Sequence, residues 1–593
     1  MMNYAIKVQS AKKEVSGRVL FENVSFTIGQ GERVALIGRN GVGKTTLIEA
    51  LFGRASLDGG RILYGVAPER FAWLEQQLHS AADPHVISYL SAIAAGDDAQ
   101  QHPPVVDTLD TPPVSSAHGH SAKSAAAWAG LAPAALHTRL SHLSGGEKTR
   151  VQLAAIWLRA PEVIVLDEPT NHLDAESLGW LEEWLRSTRA TVLFVSHDRT
   201  FIDRVAHAVI ELTPQGARRF DGGYTAFHAQ RDLELHATQA LYDKQRRERR
   251  ELEDAIARYR EWYERAHRAA GIDYYQRKKA EKNSTRFKAK ERALQRLEER
   301  MVERPDTGPR SRMELGGAAL AAKTLLQMTD IEHAYGARTV LQPFSLTVSR
   351  GDRIAVLGRN GSGKSTLLKL IVGVLQPTAG EVARHPALRI GYFAQELDGL
   401  DLSQTVLGTL LALPDMTVSY ARTVLAGFLF PADQMRTTVG DLSMGERCRL
   451  AFIKLYLSAA HLLVLDEPTN YLDIDTRERI EDALLAYPGA VIMVSHDRTF
   501  AARVAKAVVS WQQVRPTTFR GSYEQWVERA QHADQPGQAV TRDDSNEIAR
   551  LQLHLTWLMG QETAPTASAQ AKLMDEIRAT KRALDALLPS QRR

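Results

Sequence analysis

Cysteine is almost absent from this sequence of 593 residues, which contains a single one, Cys448. One thiol cannot form an internal disulfide or supply the clustered ligands of structural zinc and iron–sulfur sites. Long apolar runs are missing as well: Thr191–Val195 has the length of a strand, far below the ~20 residues that cross a bilayer. The N-terminus shows no basic segment followed by an apolar one. These absences predict a cytoplasmic protein.

The chain as a whole also carries little net charge, formally only +4. Its distribution is uneven, because residues 241–304 hold 20 Lys and Arg against 13 Asp and Glu. Within that segment, Arg265–Lys290 contains nine basic and two acidic residues. Such a localised basic patch indicates a polyanionic partner. The alternative is a helical face that is merely solvated.

Two glycine-rich motifs of the same form stand 320 residues apart, over Gly38–Thr45 and Gly358–Ser365. Further along the chain the matching landmarks recur at an offset of 299. The first copy therefore contains about 20 additional residues, which we assign to the segment His102–Ser116. Its clustered prolines oppose helix formation and predict an irregular loop.

Short apolar segments alternate with helical patterns around both motifs, which predicts an α/β fold with a largely parallel sheet covered on both faces. In each copy the glycine-rich loop joins a strand to a helix. The predicted strands are Arg33–Ile37, Val163–Leu166, Thr191–Val195, Arg353–Leu357, Leu462–Leu465 and Ala490–Val494, and the helices after the loops are Lys44–Leu51 and Lys364–Val372.

A different pattern lies between the two copies. Apolar residues recur with a spacing near 3.5 over Leu252–Ala266 and again over Phe287–Met301. This spacing predicts two amphipathic helices packed antiparallel, with the turn at Gly271–Tyr275. A helix of about 30 residues extends about 45 Å, so the turn is expected to project from the α/β domains. Ile548–Met559 and Leu573–Leu588 predict a second helical pair.

The predicted organisation has four regions. Residues 1–228 form a first P-loop domain, with the proline-rich insertion at about 100–120, and residues 229–322 form the basic helical linker, with its tip near 271–275. Residues 323–535 form the second P-loop domain, and residues 536–593 form a C-terminal helical hairpin extension.

Each glycine-rich motif has the composition of a phosphate-binding loop. Its glycines allow the backbone N–H groups to face phosphates, Lys44 reaches the β- and γ-phosphates, and Thr45 supplies a hydroxyl to Mg²⁺. An Asp–Glu pair follows a buried strand in both copies, at Asp167 and at Asp466. The Asp suits Mg²⁺ coordination, and the Glu suits activation of the attacking water. A glycine-rich turn before an ordinary helix would explain one glycine-rich motif. It would not explain why the same motifs follow one another in the same order in both copies.

This motif set closely resembles the ATP-binding-cassette superfamily. Leu143–Glu147 matches its signature loop, while Ser196–Asp198 and Ser495–Asp497 match its switch histidine. The resemblance implies that two cassettes close head to tail over two ATP molecules, with the signature helix of one facing the P-loop of the other. Site one would then join Lys44, Gln76, Glu168 and His197 to Ser443 and Gly445, and site two would join Lys364, Gln395, Glu467 and His496 to Ser144 and Gly146.

The resemblance also implies a role for each matching residue, with ATP and Mg²⁺ as the bound species. The expected catalytic residues are Glu168, Glu467, His197 and His496. The expected nucleotide-binding residues are Gly38, Asn40, Gly41, Gly43, Lys44, Thr45, Thr46, Gln76, Ser144, Gly145, Gly146, Asp167, Tyr335, Gly358, Asn360, Gly361, Gly363, Lys364, Ser365, Thr366, Gln395, Ser443, Gly445 and Asp466. The expected Mg²⁺ ligands are Thr45, Gln76, Asp167, Ser365, Gln395 and Asp466.

Two departures from the family pattern make the sites unequal. Met444 replaces a glycine in the second signature, which places a bulky side chain near site one and is expected to slow it. Tyr335 stands where the family stacks an aromatic ring on adenine, whereas the equivalent position of the first copy is Val15. We therefore expect weaker nucleotide binding at site one and hydrolysis at both sites.

Tandem cassettes around a basic helical linker resemble the ABC-F family over nearly the whole chain. Several other families of tandem cassettes without membrane domains need cysteine clusters or very long coiled coils, which this chain lacks. Tandem cassette subunits of sugar importers remain, but they are not expected to have a projecting basic hairpin between the cassettes. The resemblance implies binding at the ribosomal tRNA exit site, with rRNA and P-site tRNA as partners, by a monomer whose two cassettes pair with each other. The RNA-contact candidates at the linker turn are Gly271, Ile272, Tyr274, Tyr275, Arg277, Lys278, Lys279, Lys282 and Arg286.

Those candidates combine two kinds of RNA-binding chemistry. Basic side chains neutralise phosphates and give salt-sensitive binding, and tyrosines offer stacking surfaces for unpaired bases. The second signature, the tyrosine-bearing turn and the C-terminal hairpin resemble the antibiotic-resistance branch, which implies ribosome protection by dislodging drugs. A housekeeping translation factor is the first alternative. A tandem cassette subunit that energises a membrane transporter is the second.

Overall fold

The computed structural model describes residues 4–15, 17–75, 83–95, 121–171, 173–269, 288–302, 322–336, 338–359, 361–394, 399–512, 515–533 and 581. They divide into one unit over Met1–Arg520, which contains both P-loop domains, and another over Gly521–Arg593. The predicted proline-rich insertion, the linker turn and nearly all of the C-terminal extension lie outside the described residues.

The first P-loop domain is built on a six-stranded sheet in the order β5-β6-β7-β3-β8-β9. All neighbouring strands are parallel except the antiparallel pair β8–β9. Every residue of β6 and β7 is buried, as expected for strands that have helices on both faces. The strands are β3 (Arg33–Ile37), β5 (Phe71–Leu74), β6 (Val163–Asp167), β7 (Thr191–Val195), β8 (Ala208–Thr213) and β9 (Gly216–Asp221).

The second P-loop domain repeats this sheet in the order β14-β15-β16-β12-β17-β18, again with one antiparallel edge pair. The predicted strands at the sheet centre are confirmed, and β6 and β15 each extend one residue further, to the aspartate. The strands are β12 (Arg353–Leu357), β14 (Ile390–Phe393), β15 (Leu462–Asp466), β16 (Ala490–Val494), β17 (Ala507–Gln512) and β18 (Arg515–Arg520).

Each domain also has a three-stranded antiparallel sheet, which the sequence pattern did not predict. The long strands of these sheets carry several bulges, so alternation of apolar and polar residues is interrupted along them. The orders are β2-β1-β4 and β11-β10-β13. The strands are β1 (Tyr4–Val15), β2 (Arg18–Gly29), β4 (Gly59–Tyr64), β10 (Thr324–Tyr335), β11 (Arg338–Ser349) and β13 (Ala379–Arg384).

Helices cover the sheets and connect the domains. The two helices after the glycine-rich loops have the predicted bounds. In the first domain the helices are α1 (Lys44–Leu51), α2 (Val86–Ala94), α3 (Ala122–Trp128), α4 (Gly145–Arg159), α5 (Ala175–Ser187) and α6 (Arg199–Val205). They are followed by α7 (Tyr224–Ala269) and α8 (288–299), and then by α9 (Lys364–Val372), α10 (Val406–Leu411), α11 (Val418–Gly427), α12 (Met444–Tyr456), α13 (Ile474–Ala486), α14 (Arg498–Val504) and α15 (Tyr523–Ala533).

The linker region contains the 46-residue helix α7, which runs antiparallel to α8. Gln245 on α7 donates to the carbonyl of Arg300 and accepts from the amide of Val302, at 3.0 and 2.9 Å. One turn further along α7, Arg249 lies 3.4 Å from Glu298. These contacts fix the register of the two helices near their cassette ends. Among the described helices, none is long and apolar enough to cross a membrane.

Candidate active sites

The two glycine-rich loops lie at the carboxyl ends of β3 and β12 and open into α1 and α9. Gly43 and Gly363, the last glycines of the loops, have φ values of +98° and +104°. A Cβ at Gly43 would lie 2.9 Å from the Phe21 ring, so both backbone conformation and space favour glycine there. The loop backbone therefore turns tightly before the helix N-terminus, where anions bind.

Both P-loop lysines are held over their own loops. Lys44 Nζ donates to the carbonyl of Gly38 at 2.7 Å, and Lys364 Nζ donates to the carbonyl of Gly358 at 2.7 Å. Burial lowers the pKa of each ammonium, while the nearby acidic groups act in the opposite direction. Each loop thus presents a cation with few protein partners that a nucleotide phosphate can take over.

Oxygen ligands suited to Mg²⁺ meet beside each lysine. Thr45 Oγ1 donates to Asp167 Oδ2 at 3.0 Å, and Ser365 forms the corresponding hydrogen bond with Asp466. The aspartates end β6 and β15, so the strand order brings them to the P-loops. A hydroxyl and a carboxylate with adjoining space fit a divalent ion that keeps part of its water shell and binds phosphate oxygens.

Glu168 stands in the position expected of a general base. Its φ of +50° is unusual for a residue with a side chain, and its carboxylate interacts electrostatically with Lys44 of the P-loop. His197 Nε2 lies 3.1 Å from Glu168 Oε1, whereas Oε2 is buried without a hydrogen-bond partner among the described residues. Burial, reinforced by the charge of Asp167, raises the pKa of Glu168 to about 7. A base with that pKa accepts a proton from water near neutral pH.

The second cassette repeats this pair with looser geometry. Glu467 has a φ of +49°, and its Oε1 lies 3.4 Å from His496 Nε2. Burial raises the pKa of Glu467 to about 7 and lowers that of His496 to about 4. Burial also holds the pKa of His197 well below its usual value. Both histidines are therefore neutral at physiological pH and act as hydrogen-bonding groups rather than cations.

The signature helices α4 and α12 begin with complete capping boxes. Ser144 accepts from the amide of Glu147, whose carboxylate accepts from the amide of Ser144. Ser443 and Glu446 repeat the arrangement. The capping fixes the first turn of each helix. The positive end of each helix dipole points outwards from the helix N-terminus and favours a negative charge there.

At site two, the signature of the first cassette faces the P-loop of the second across one cleft of about 600 Å³. Such a volume is in the range of small-ligand pockets. The site-two residues on its walls are Ser144, Gly145 and Gly146 from the first cassette, and Tyr335, Gly361, Gly363, Lys364, Ser365, Thr366, Asp466, Glu467 and His496 from the second.

At site one, the two cassettes are in direct contact. Asn40 of the P-loop donates its amide to Asp473 Oδ2 at 3.0 Å and its side-chain Nδ2 to the carbonyl of Tyr471 at 2.8 Å. Hydrogen bonds from Thr476 and Asn40 outweigh the effect of burial and hold the pKa of Asp473 at about 2. A Cβ on Gly445 would lie 2.5 Å from the Tyr471 carbonyl. This signature residue therefore sits against the same contact.

The residues that depart from the family pattern are all partly exposed. Val15 ends β1 and Tyr335 ends β10, and their residues are 45% and 50% exposed. Tyr335 lines the site-two cleft, so its ring is available to a nucleotide base. Met444 is the first residue of α12 and is 51% exposed. Gln76, Asn360 and Gln395 lie outside the described residues, as do the RNA-contact candidates of the linker turn.

The interface between the cassettes has an approximate twofold symmetry that the motifs did not reveal. Thr200 and Thr499, 299 positions apart, meet at 3.0 Å. Arg199 crosses to the fully buried Glu481, and Arg498 crosses to Glu182 at 2.9 Å. Each pair repeats the other at the same offset of 299, which is the signal in the sequence that could have identified these residues.

Comparisons with known proteins agree with this architecture. The ABC transporter family matches residues 21–171 and 341–470. The Escherichia coli probable ATP-binding protein YheS is 32% identical over 89% of this chain and 82% of its own. The Arabidopsis thaliana ABC transporter F family member 5 is 29% identical over 88% and 77%. The archaeal ribosome recycling factor aABCE1, solved with the ribosomal stalk protein aP1, is 17% identical with a TM-score of 0.59 over 91% of this chain and 98% of its own.

Proposed function

The chain belongs to the ABC-F family of ATP-hydrolysing tandem cassettes, and from this premise we propose that it binds the ribosome and works there by closing its cassettes. The observation that carries the proposal is a basic antiparallel helical linker held between two cassettes that already share two composite sites. Support also comes from the tandem cassette fold of the archaeal recycling factor, whose structure contains a ribosomal protein.

The proposed chemical step is the same at each site. The P-loop amides and lysine hold the phosphates of ATP while the γ-phosphoryl group is transferred to water and ADP leaves. The Thr45–Asp167 and Ser365–Asp466 pairs would hold Mg²⁺, which would supply positive charge against the negative charge of the phosphates. Glu168 or Glu467 orients a water molecule and takes its proton, while the neutral histidine holds the glutamate in place. The signature of the opposite cassette completes the phosphate site, so cleavage requires closure.

Closure reaches the linker through α7. This helix begins at Tyr224, directly after β9 of the first cassette, and its first turns contact α13 of the second. A movement of one cassette against the other must therefore change the position of the helix base. Because α7 is 46 residues long, a small rotation at the base displaces the distant end by much more. We propose that the basic turn acts there on rRNA and P-site tRNA.

A trapped variant tests ribosome binding. Glu168→Gln/Glu467→Gln leaves binding groups intact but removes both bases, so it should remain closed with ATP and sediment with ribosomes. Binding should weaken as salt is raised, because the contacts are to phosphates. The exposed pair Glu69→Gln/Glu381→Gln is the matched control and should show no trapping. Absence of enrichment on ribosomes in the trapped variant would reject the translation function and favour a transporter-energising subunit.

Within this function we propose ribosome protection, in which the linker dislodges antibiotics. Support comes from the resemblance of Met444, the tyrosines at the linker turn and the C-terminal helical pattern to the resistance branch. Susceptibility to ribosome-targeting antibiotics should rise when the gene is removed and be restored by the wild type. The Glu168→Gln/Glu467→Gln variant should fail to restore resistance, since it cannot complete a cycle.

A housekeeping translation factor is the second candidate. The similarity to the two relatives above is compatible with either candidate. Unchanged susceptibility to every antibiotic tested, together with a translation defect on removal of the gene, would favour this candidate over protection.

A further inference from the structure

Arg477, on α13 of the second cassette, donates hydrogen bonds into both switch-histidine loops. It is 6% exposed. Its Nη1 donates to the carbonyl of His197 at 3.0 Å and to Asp497 Oδ2 at 3.1 Å, and its Nε donates to the carbonyl of Leu472 at 3.0 Å. One buried guanidinium therefore connects the loop of His197 in the first cassette to the loop of His496 in the second.

This contact has no mirror image across the approximate twofold axis. The position 299 residues earlier is Leu178 on α5, which is 1% exposed and packs in the apolar core of the first cassette. A leucine side chain has no donor, so it cannot hold the carbonyl of His496 as Arg477 holds that of His197. The two active sites thus differ in how their switch histidines are positioned.

The guanidinium also balances buried negative charge at the axis. Burial and the carboxylate of Asp497 together raise the pKa of Asp198 to about 6, although Arg498 and Arg477 act in the opposite direction. Two carboxylates in a buried interface require a cation or a proton. Loss of Arg477 would leave Asp497 without this partner and disturb the His197 loop at the same time.

Small displacements of this loop matter because of what it carries. The ring of His197 lies 3.1 Å from the catalytic carboxylate of Glu168, and Arg477 holds the peptide carbonyl of the same residue. A shift of about 1 Å in a positioning group can cost on the order of a hundredfold in rate. Nucleotide binding depends mainly on the P-loop. Arg477 lies on the wall of the site-two cleft, but its described hydrogen bonds go to Leu472, His197 and Asp497 and not to either P-loop.

We propose that Arg477 is a positioning residue that acts across the interface: it holds the peptide of His197, whose ring contacts Glu168, so cleavage of ATP at site one depends on Arg477 much more strongly than cleavage at site two. The proposal rests on ATP hydrolysis by the cassettes and is independent of the ribosome. Val15 and Met444 already distinguish site one from site two in sequence, and Arg477 adds a structural reason for the two sites to differ.

Site-selective variants of the full chain test the proposal. In the Glu467→Gln background, the first turnover of bound ATP reports site one, and in the Glu168→Gln background it reports site two. Adding Arg477→Leu should slow site-one cleavage roughly 30-fold, within the range expected for loss of positioning. The ATP concentration for half-saturation should change by less than about twofold, and site-two cleavage by less than about threefold.

Two further variants separate positioning from stability. Arg477→Lys keeps the charge and one donor group, and it should recover at least about threefold of the lost site-one rate. Arg503→Leu is the matched control, because Arg503 pairs only with Glu481 and Asp482 of its own cassette among the described contacts and is far more exposed. It should leave both rates within about twofold of the background.

The proposal would be overturned by equal losses of cleavage rate at both sites, by a change only in the ATP concentration for half-saturation, or by an unchanged site-one cleavage rate. Absence of first-turnover cleavage in the Glu467→Gln background with Arg477 intact would also overturn it. If Arg477→Leu loses its cooperative thermal unfolding, the Arg477→Lys variant replaces it, and equal effects of that variant on the two sites would overturn the proposal.

Discussion

Glu168 and Glu467 combine three unusual properties at the residue scale: a left-handed backbone, a buried carboxylate and a raised pKa. The φ values of +50° and +49° follow from the sharp turn at the end of a buried strand, where the chain leaves β6 or β15. That turn places the carboxylate beside the aspartate that precedes it. Burial brings the pKa of both bases into the neutral range, with a smaller contribution from the charge of Asp167 at Glu168 and of Asp497 at Glu467.

The raised pKa predicts the pH dependence of cleavage. Both glutamates have a pKa of about 7 because of burial, so lowering the pH protonates them and removes the base. First-turnover cleavage should therefore be level at higher pH and fall roughly tenfold per unit below about pH 7. Rapid-quench measurements at saturating ATP would test this, and a rate that stayed level to about pH 5 would contradict it.

Gly445 predicts a steric effect at site one. An added Cβ would lie 2.5 Å from the Tyr471 carbonyl and 3.0 Å from Asn40 Nδ2, both of which belong to the contact between the cassettes. Gly445→Ala should therefore slow site-one cleavage at least about tenfold, because the Tyr471 carbonyl and Asn40, which bind each other, must move to accept the methyl group. The measurement is first-turnover cleavage in the Glu467→Gln background.

Gly179→Ala is the matched control for that substitution. Gly179 is also helical, and a Cβ there meets nothing within 4 Å. The change should leave cleavage unaltered and raise the free energy of unfolding by about 0.5–1 kcal/mol, because alanine loses less backbone entropy on folding. An equal loss of cleavage in both variants would show that the Tyr471 contact is unimportant.

At the scale of elements, α13 connects the active sites to the linker. Its N-terminal turn follows Asp473, which binds the P-loop of site one, and its next turn carries Arg477 and Glu478. Glu478 accepts from Tyr224 Oη at 3.0 Å and lies 3.6 Å from His228 on α7. A single helix therefore contacts the nucleotide site, the switch histidine and the base of the linker.

His228 makes the contact between α7 and α13 sensitive to pH. Its pKa is raised, chiefly by the hydrogen bond to Glu478, and Asp232 adds to the effect while burial and Arg231 oppose it. Since the pKa of His228 is higher in the folded than in the unfolded state, its charged imidazole stabilises the folded protein. This stabilisation is complete below about pH 6.5 and is lost as pH rises through the folded pKa.

The corresponding prediction concerns His228→Gln. The decrease in melting temperature caused by this substitution should be larger at about pH 6 than at about pH 8.5, where the wild-type imidazole has lost its charge. His236→Gln, at an exposed position of the same helix, should give the same small change at both pH values. A decrease for His228→Gln that did not depend on pH would contradict the assigned charge.

At the scale of the whole molecule, the basic surplus lies far along the chain from every nucleotide-binding residue. In the chain sequence, α7 lies between the first cassette and the predicted RNA-binding segment, and α8 lies between that segment and the second cassette. A helix is stiff enough to carry a displacement over this length. Shortening the linker should separate the two activities, with ATP cleavage kept and action on the ribosome lost.

Removal of 271–275 tests this separation. The deletion should abolish the proposed antibiotic protection while first-turnover ATP cleavage stays within about twofold of the wild type, because the nucleotide-binding residues belong to the cassettes. Susceptibility tests and cleavage assays on the same variant provide the measurement. Full protection by the shortened protein would contradict a role for the turn.

Charge in the same region predicts the salt dependence of ribosome binding. Replacing Arg277, Lys278 and Lys279 by Gln should lower the magnitude of the log–log salt slope by up to about 3, since each lost phosphate contact removes about one released counterion. Co-sedimentation over a range of salt concentrations measures the slope. The control replaces the exposed residues Lys123, Lys506 and Arg515 by Gln and should change the slope by less than about 1.

The sequence by itself determined the two α/β cassettes, the strands at the centre of each sheet and the helices after the P-loops. It could do so because phosphate chemistry needs glycines, a lysine and carboxylates in a short, ordered arrangement, and because buried parallel strands read as continuous apolar runs. The bulged antiparallel sheets escaped this reasoning, since bulges break the alternation on which strand prediction depends.

Only the tertiary structure decided which residues of one cassette reach the other. Asn40 meets Tyr471 and Asp473, and Arg477 reaches the carbonyl of His197, across more than 270 residues of sequence. Such contacts depend on how two surfaces dock, and neither periodicity nor motif spacing encodes that directly. The sequence shows that Arg477 stands where the first copy has Leu178. Only the structure shows that this arginine lies between the two histidine loops and bonds to both.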